Sequence, residues 1–259
     1  MKLIKEKLNC EEYDRCPVCG QDDLFESYDE TVWCPDCGWH AGISCKEFFC
    51  PNCSSYEIRY EEDRAVCEKC GCAVILECDG IVANEKGPGK YKVVMAKRAE
   101  VLPGATALDK SFSEFTELEE IILPESLEVI RFDAFCSCTA LRGINIPRSV
   151  RCIEGNAFTG CPFTEIRLPE GITQIGDLTF CDCRRLKTVT VPEGVARIGM
   201  AAFQFCSSLE EVILPESLQT IGFHAFYNCT ALKHIVIPAG TDVDPTAFAN
   251  CPDIVLERK

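Results

Sequence analysis

Three residue types recur in register through the second half of the chain, and their shared step constrains the fold more than any other feature. Prolines stand at Pro124, Pro147, Pro169, Pro192, Pro215 and Pro238. Phenylalanines keep the same step at Phe135, Phe158, Phe180, Phe203, Phe226 and Phe248, and cysteines at Cys138, Cys161, Cys183, Cys206, Cys229 and Cys251. The period is 22 or 23 residues. A unit of that length cannot bury its own apolar face, so neighbouring units stack into a solenoid rather than close around a catalytic pocket. Each unit offers about six apolar side chains, worth roughly 1.5–3 kcal/mol apiece. Fixing its backbone costs on the order of 1–2 kcal/mol per residue. A lone coil loses that contest, and coils hold their shape only together.

One copy assigns the faces. In the run from Leu209 to Phe226, Leu209, Val212 and Leu214 are expected to face inward, with Val212-Ile213-Leu214 as a strand ended by Pro215. Leu218 and Ile221 face inward on a second short segment, Phe226 fills the interior and Cys229 closes the coil. Residues 91–112 read as a degenerate first repeat, with Leu102-Pro103 and Phe112 imitating the columns at a shorter spacing. The last unit, from Ile254 to Lys259, ends in charge, as a C-terminal cap should.

The motif Leu-x-x-Ile-x-Ile-Pro-x-Ser-Val-x-x-Ile-x-x-x-Ala-Phe-x-x-Cys runs with little change from Leu118 to Cys251. It resembles the BspA-type leucine-rich repeat family. The resemblance implies a repeat solenoid of short parallel β-strands joined by irregular turns, with a right-handed superhelical course. It also implies a recognition role, because such repeats are common in bacterial and protozoan surface and adhesion proteins. In leucine-rich repeats the cysteine position holds a polar tip that satisfies turn backbone groups inside the coil, so these cysteines are expected to be buried thiols bonding within their own coils. Coils about 4.8 Å apart also leave a metal chain or disulfides along the column geometrically open.

The first part of the chain is built differently. Four Cys-x-x-Cys pairs follow one another: Cys16 with Cys19, Cys34 with Cys37, Cys50 with Cys53 and Cys67 with Cys70. Each pair can form a knuckle aiming two thiolates at one ion, and two knuckles give the four sulfurs of a tetrahedral structural zinc. Gly20, Gly38 and Gly71 follow three of the pairs, where a strain-free turn lets amides approach the sulfurs. The spacers read as hairpins: Leu24 to Tyr28 with Thr31 to Trp33, and Tyr56 to Tyr60 with Arg64 to Val66.

Two tandem zinc ribbons are therefore expected, holding two structural zinc ions. One would sit on Cys16, Cys19, Cys34 and Cys37, the other on Cys50, Cys53, Cys67 and Cys70. A crossed pairing, first with third and second with fourth, stays open. Four-cysteine sites leave no coordination position for water, which argues against zinc catalysis. The organisation expected is 1–79 for the ribbons, 80–92 for a Gly- and Pro-interrupted linker, and 93–259 for the solenoid.

The chain has 41 Asp and Glu against 26 Lys and Arg, a formal charge of -15. Such acidity repels phosphate backbones and anionic lipid. Its 21 cysteines are an odd number, and no apolar run reaches the length of a signal peptide or a membrane span. A reducing, cytoplasmic setting is expected, with thiols free or on metal. Nothing matches a P-loop, a dinucleotide-binding or a His-Glu-x-x-His motif, so the reading is non-enzymatic.

Function should lie on outward strand positions, in the column Ile122, Asn145, Arg167, Thr190, Ile213 and Val236. The leading reading is a protein-binding module that presents this surface, with the ribbons as a second docking element. A zinc-ribbon regulator contacting nucleic acid and a thiol redox sensor are the alternatives.

Overall fold

The computed structural model describes residues 25–26, 32–33, 40–41, 50–60, 64–83 and 92–259. The chain forms two compact units, one of Met1–Phe48 with Cys78–Met95, the other of Phe49–Glu77 with Ala96–Lys259. In the first, strands β1 (Phe25–Glu26), β2 (Val32–Trp33) and β3 (His40–Ala41) make an antiparallel sheet. Phe25 pairs with Trp33 and Glu26 with Val32, on the two arms of the hairpin expected there.

In the second unit, β4 (Ile58–Tyr60) and β5 (Arg64–Cys67) form the next antiparallel hairpin. A five-stranded sheet continues through β6 (Ala73–Ala83) and β7 (Lys92–Val101), of which residues 73–77 and 96–101 belong to this unit, to β9 (Glu120–Ile122). β7 and β9 are parallel, with Arg98 opposite Glu120 and Glu100 opposite Ile122. Ribbon-like strands thus run directly into the first strand of the repeats, and residues 49–77 share a compact unit with them.

The rest is a β-solenoid of about 7 turns. Its front strands after β9 are β12 (Glu165–Arg167), β14 (Thr188–Thr190), β16 (Glu211–Ile213), β18 (His234–Ile237) and β20 (Val255–Arg258). Its back strands are β8 (Ala107–Leu108), β10 (Val129–Ile130), β11 (Cys152–Ile153), β13 (Gln174–Ile175), β15 (Arg197–Ile198), β17 (Thr220–Ile221) and β19 (Asp242–Val243). All pairings within the repeats are parallel, as stacked coils require. Side chains alternate across a strand, so Ile121, Ile166, Val189 and Val212 are buried between exposed neighbours, and Ile235 between exposed His234 and half-buried Val236.

The faces in the sample copy are the expected ones: Leu209, Val212, Leu214, Leu218, Ile221, Phe226 and Cys229 are all buried. Its strand lies one residue earlier than expected, at Glu211–Ile213. Pro215 has no amide to lend the ladder, and the chain leaves it at Leu214. Residues 144–146 of the third repeat form no strand, although Ile146 is buried and Asn145 exposed.

Two ladders hold the interior together. The rings from Phe112 to Phe248 stack face to face, with centroids closing from 5.7 Å between Phe112 and Phe135 to 5.1 Å between Phe226 and Phe248. Phe112 belongs to this column, so the degenerate first coil still supplies its ring. Beside the rings, each column thiol donates to the carbonyl of the preceding coil's phenylalanine. Cys138 reaches Phe112 O at 3.0 Å, and Cys229 reaches Phe203 O at 3.1 Å. The polar tips therefore satisfy backbone between coils rather than inside one.

Candidate functional site

Two knuckles build the cysteine centre from the same local turn. Ser54 N donates to Cys50 O at 2.8 Å, and Gly71 N donates to Cys67 O at 2.9 Å. Both turns need a residue with positive φ. Gly71 supplies 74°, and Ser54 takes 57° where the other pairs are followed by glycine. The turns bring Cys50, Cys53, Cys67 and Cys70 together, with all four sulfurs within 4.8 Å of one another. Cys50 and Cys70 lie 3.4 Å apart, and Cys53 and Cys67 3.6 Å apart. A tetrahedral zinc with bonds of about 2.3 Å sets sulfurs about 3.8 Å apart, so the four residues fit such an ion. Cys16, Cys19, Cys34 and Cys37 lie outside the described residues.

The four thiols are electrostatically unequal. A hydrogen bond donated to Cys72, then burial, drives Cys50 far above the ordinary thiol range. Burial pushes Cys53 up to about 12. Burial also opposes ionisation of Cys70. It is outweighed there by the Cys72 amide, the Asn52 side chain and the neighbouring thiols, which bring Cys70 down to about 7. The Asn52 amide donates to Cys70 Sγ at 3.6 Å. Cys72, buried against Cys50, is a fifth thiol that the pair spacing alone did not assign to this centre.

The outward column is a physical strip. Arg167 pairs with Thr190, and Thr190 with Ile213, while Val236 pairs with Glu257. Ile122 is 46% exposed and Ile213 52%, and Val236 is half-buried. Charged residues flank them: Glu120 is paired with Arg98 at 2.8 Å and His234 with Glu257 at 3.1 Å. A shallow hollow at the start of the strip is lined by Ile75, Arg98, Ala99, Glu100, Glu120 and Ile122.

The BspA type leucine-rich repeat region matches residues 106–207 and 128–255, in 6 copies. The chain belongs to the BspA-type leucine-rich repeat family. The leucine-rich repeat protein of T. pallidum is 24% identical, covering 63% of this chain and 79% of that one at a TM-score of 0.48. A leucine-rich repeat protein of Bacteroides ovatus is 22% identical, covering 78% and 70% at a TM-score of 0.49. Among curated proteins, none matches.

The leucine-rich repeats also carry a surface feature that sequence reading missed. In the fifth and sixth copies, aromatic side chains gather at neighbouring outward positions. Phe205 stands where Ser137, Gly160 and Asp182 stand in earlier coils. Phe205 meets Tyr227 edge-on at 5.7 Å, and His224 lies 3.8 Å from Phe223 and 4.6 Å from Tyr227. Phe223 and Met200 remain exposed beside them. The signal was present in the columns, but only as a departure from repeat consensus in two copies.

Proposed function

We propose that this leucine-rich repeat protein is a non-enzymatic protein-binding module whose front strip, Ile122, Asn145, Arg167, Thr190, Ile213 and Val236, is the recognition surface. Its carrying observation is the exposure of Ile122 and Ile213 on strands whose other apolar side chains are buried. Apolar groups among alternating charges suit a protein partner, where apolar anchors give affinity and the rim gives register. The formal charge of -15 weighs against nucleic acid. Among the described residues, no helix is long and apolar enough to cross a membrane.

In the same proposal, Cys50, Cys53, Cys67 and Cys70 hold a structural zinc. The closely similar spacing of Cys16, Cys19, Cys34 and Cys37 extends it to a second ion, giving two zinc ribbons that serve as a further docking element. When bound, zinc supplies cross-linking rather than chemistry, since four thiolates fill its coordination shell. Fourteen cysteines among the described residues are free thiols, which supports a reducing, cytoplasmic setting.

The test is capture from nuclease-treated lysate by zinc-loaded protein, run beside an Ile122→Asp/Ile213→Asp variant. A protein retained by the first and lost by the second supports the reading. Equal retention by both sinks it.

A further inference from the structure

Three of the later coils, the second, third and sixth, close their back sheet with the same hydrogen-bond pattern. Two successive amides share one carbonyl of the coil before, and a third amide, further along, takes a second carbonyl. In the second coil, Glu128 N and Val129 N donate to Thr106 O, at 2.8 and 3.1 Å, and Arg131 N donates to Leu108 O at 2.7 Å. In the third, Arg151 N and Cys152 N donate to Glu128 O, and Glu154 N to Ile130 O. In the sixth, Gln219 N and Thr220 N share Ala196 O, and Gly222 N takes Ile198 O.

The first coil has no repeat before it, yet the pattern is complete. By the β8–β10 register, Thr106, Ala107 and Asp109 correspond to Glu128, Val129 and Arg131. Thr106 N and Ala107 N both donate to Asn52 Oδ1, at 2.9 and 3.1 Å. Asp109 N donates to Pro51 O at 2.7 Å. The two residues enclosed by Cys50 and Cys53 thus put a side-chain oxygen and a main-chain oxygen where a preceding coil would put two carbonyls. Ser54, just past the knuckle, adds a hydroxyl bond to the Asp109 carboxylate. The other end of the Asn52 amide touches Cys70 Sγ, so one side chain joins the sulfur centre to the edge of the repeats.

We propose that the Cys50–Cys53 knuckle is a surrogate coil that caps the first repeat, and that a metal ion on the four sulfurs controls this cap by fixing Pro51 and Asn52. The inference rests on the zinc reading of those cysteines. Both acceptors lie between two ligands of the same ion, so the metal holds them with no help from a core of their own. Terminal repeats of solenoids need such capping, because an open sheet edge leaves amides without partners. Releasing the metal frees the knuckle, and the first coil opens locally while inner coils stay closed.

The experiment is amide hydrogen exchange on the full chain under reducing conditions, zinc-loaded and after chelation, with zinc counted separately by elemental analysis. Losing a backbone acceptor speeds exchange about ten-fold. That rise is expected at Thr106, Ala107 and Asp109 after chelation, with no change at Gln219, Thr220 and Gly222. An Asn52→Ala variant should keep its zinc and lose protection at Thr106 and Ala107 alone. Zinc uptake at Cys50, Cys53, Cys67 and Cys70, read as the equivalent missing from a Cys67→Ser variant, without any change at the first coil overturns the proposal and leaves the zinc reading intact. If Cys67→Ser costs no zinc, the zinc reading itself fails, and metal control fails with it. Unchanged exchange in Asn52→Ala refutes the surrogate coil by itself.

Discussion

Truncating one ring of the phenylalanine ladder should cost more in the middle than at the end. Phe180 is fully buried and stacks on Phe158 at 5.5 Å and on Phe203 at 5.3 Å. Phe248 is half-buried and stacks on Phe226 alone. A buried Phe→Ala change costs roughly 3–5 kcal/mol, set by the atoms removed and the cavity left. Each stacked pair contributes about 0.5–1.5 kcal/mol beyond buried area. Phe180→Ala empties a site closed on both ring faces and belongs at the upper end, near 5 kcal/mol. Phe248→Ala loses one stacked face and can relax toward solvent, so about 2 kcal/mol is expected. Urea unfolding followed by far-ultraviolet circular dichroism measures both. Because coils couple only to their neighbours, the central cavity should also split the array and lower the apparent m-value. Equal costs for the two variants, or a Phe180→Ala cost below about 1 kcal/mol, would refute stacking as the source of coil coupling.

Other outcomes follow from the thiols and the glycines. Cys67→Ser should remove one zinc equivalent and Cys72→Ser none, read by elemental analysis, because four sulfurs suffice for a tetrahedral ion. Burial raises the thiols of Cys161, Cys206 and Cys229 well above their ordinary value. Their contribution is whole below the unfolded thiol pKa of about 8.5 and is lost above it, at about 1.4 kcal/mol per pH unit for each thiol, as the unfolded chain ionises first. Urea midpoints should therefore hold between neutrality and that pH and fall steeply beyond it. Gly199→Ala puts a Cβ 2.7 Å from Asp177 N, and should lower stability by about 1–3 kcal/mol. Gly143→Ala meets nothing within 4 Å and should be neutral or slightly stabilising in the same urea titrations.

The legible part of the fold was whatever repeats. Column spacing identified the inward residues of each coil, because a solenoid maps a linear period directly onto stacked positions. The outward strip followed from strand alternation, and the knuckle geometry from cysteine spacing. What stayed hidden depends on partners distant in sequence. Cys229 was read as bonding within its coil, but its acceptor is Phe203 O in the coil before. Asn52 lies between Cys50 and Cys53 in the sequence, and its acceptor role appears only once Thr106 and Ala107 lie beside it. Cys72 follows Gly71 without a pair of its own, and only the fold sets it against Cys50. The aromatic group around Phe223 and Tyr227 joins residues from different coils that no single repeat contains.

The proposed role of the front strip in protein recognition is open to a direct test. A photo-cross-linking amino acid placed at Ile213 of the zinc-loaded full chain, and at Gln174 on the back sheet as a control, tests it in native lysate. One discrete protein adduct is expected from position 213, competed away by unlabelled protein and absent from position 174. Adducts of equal yield at both positions, or none at 213 with capture instead from a probe at Phe223, would contradict the assignment.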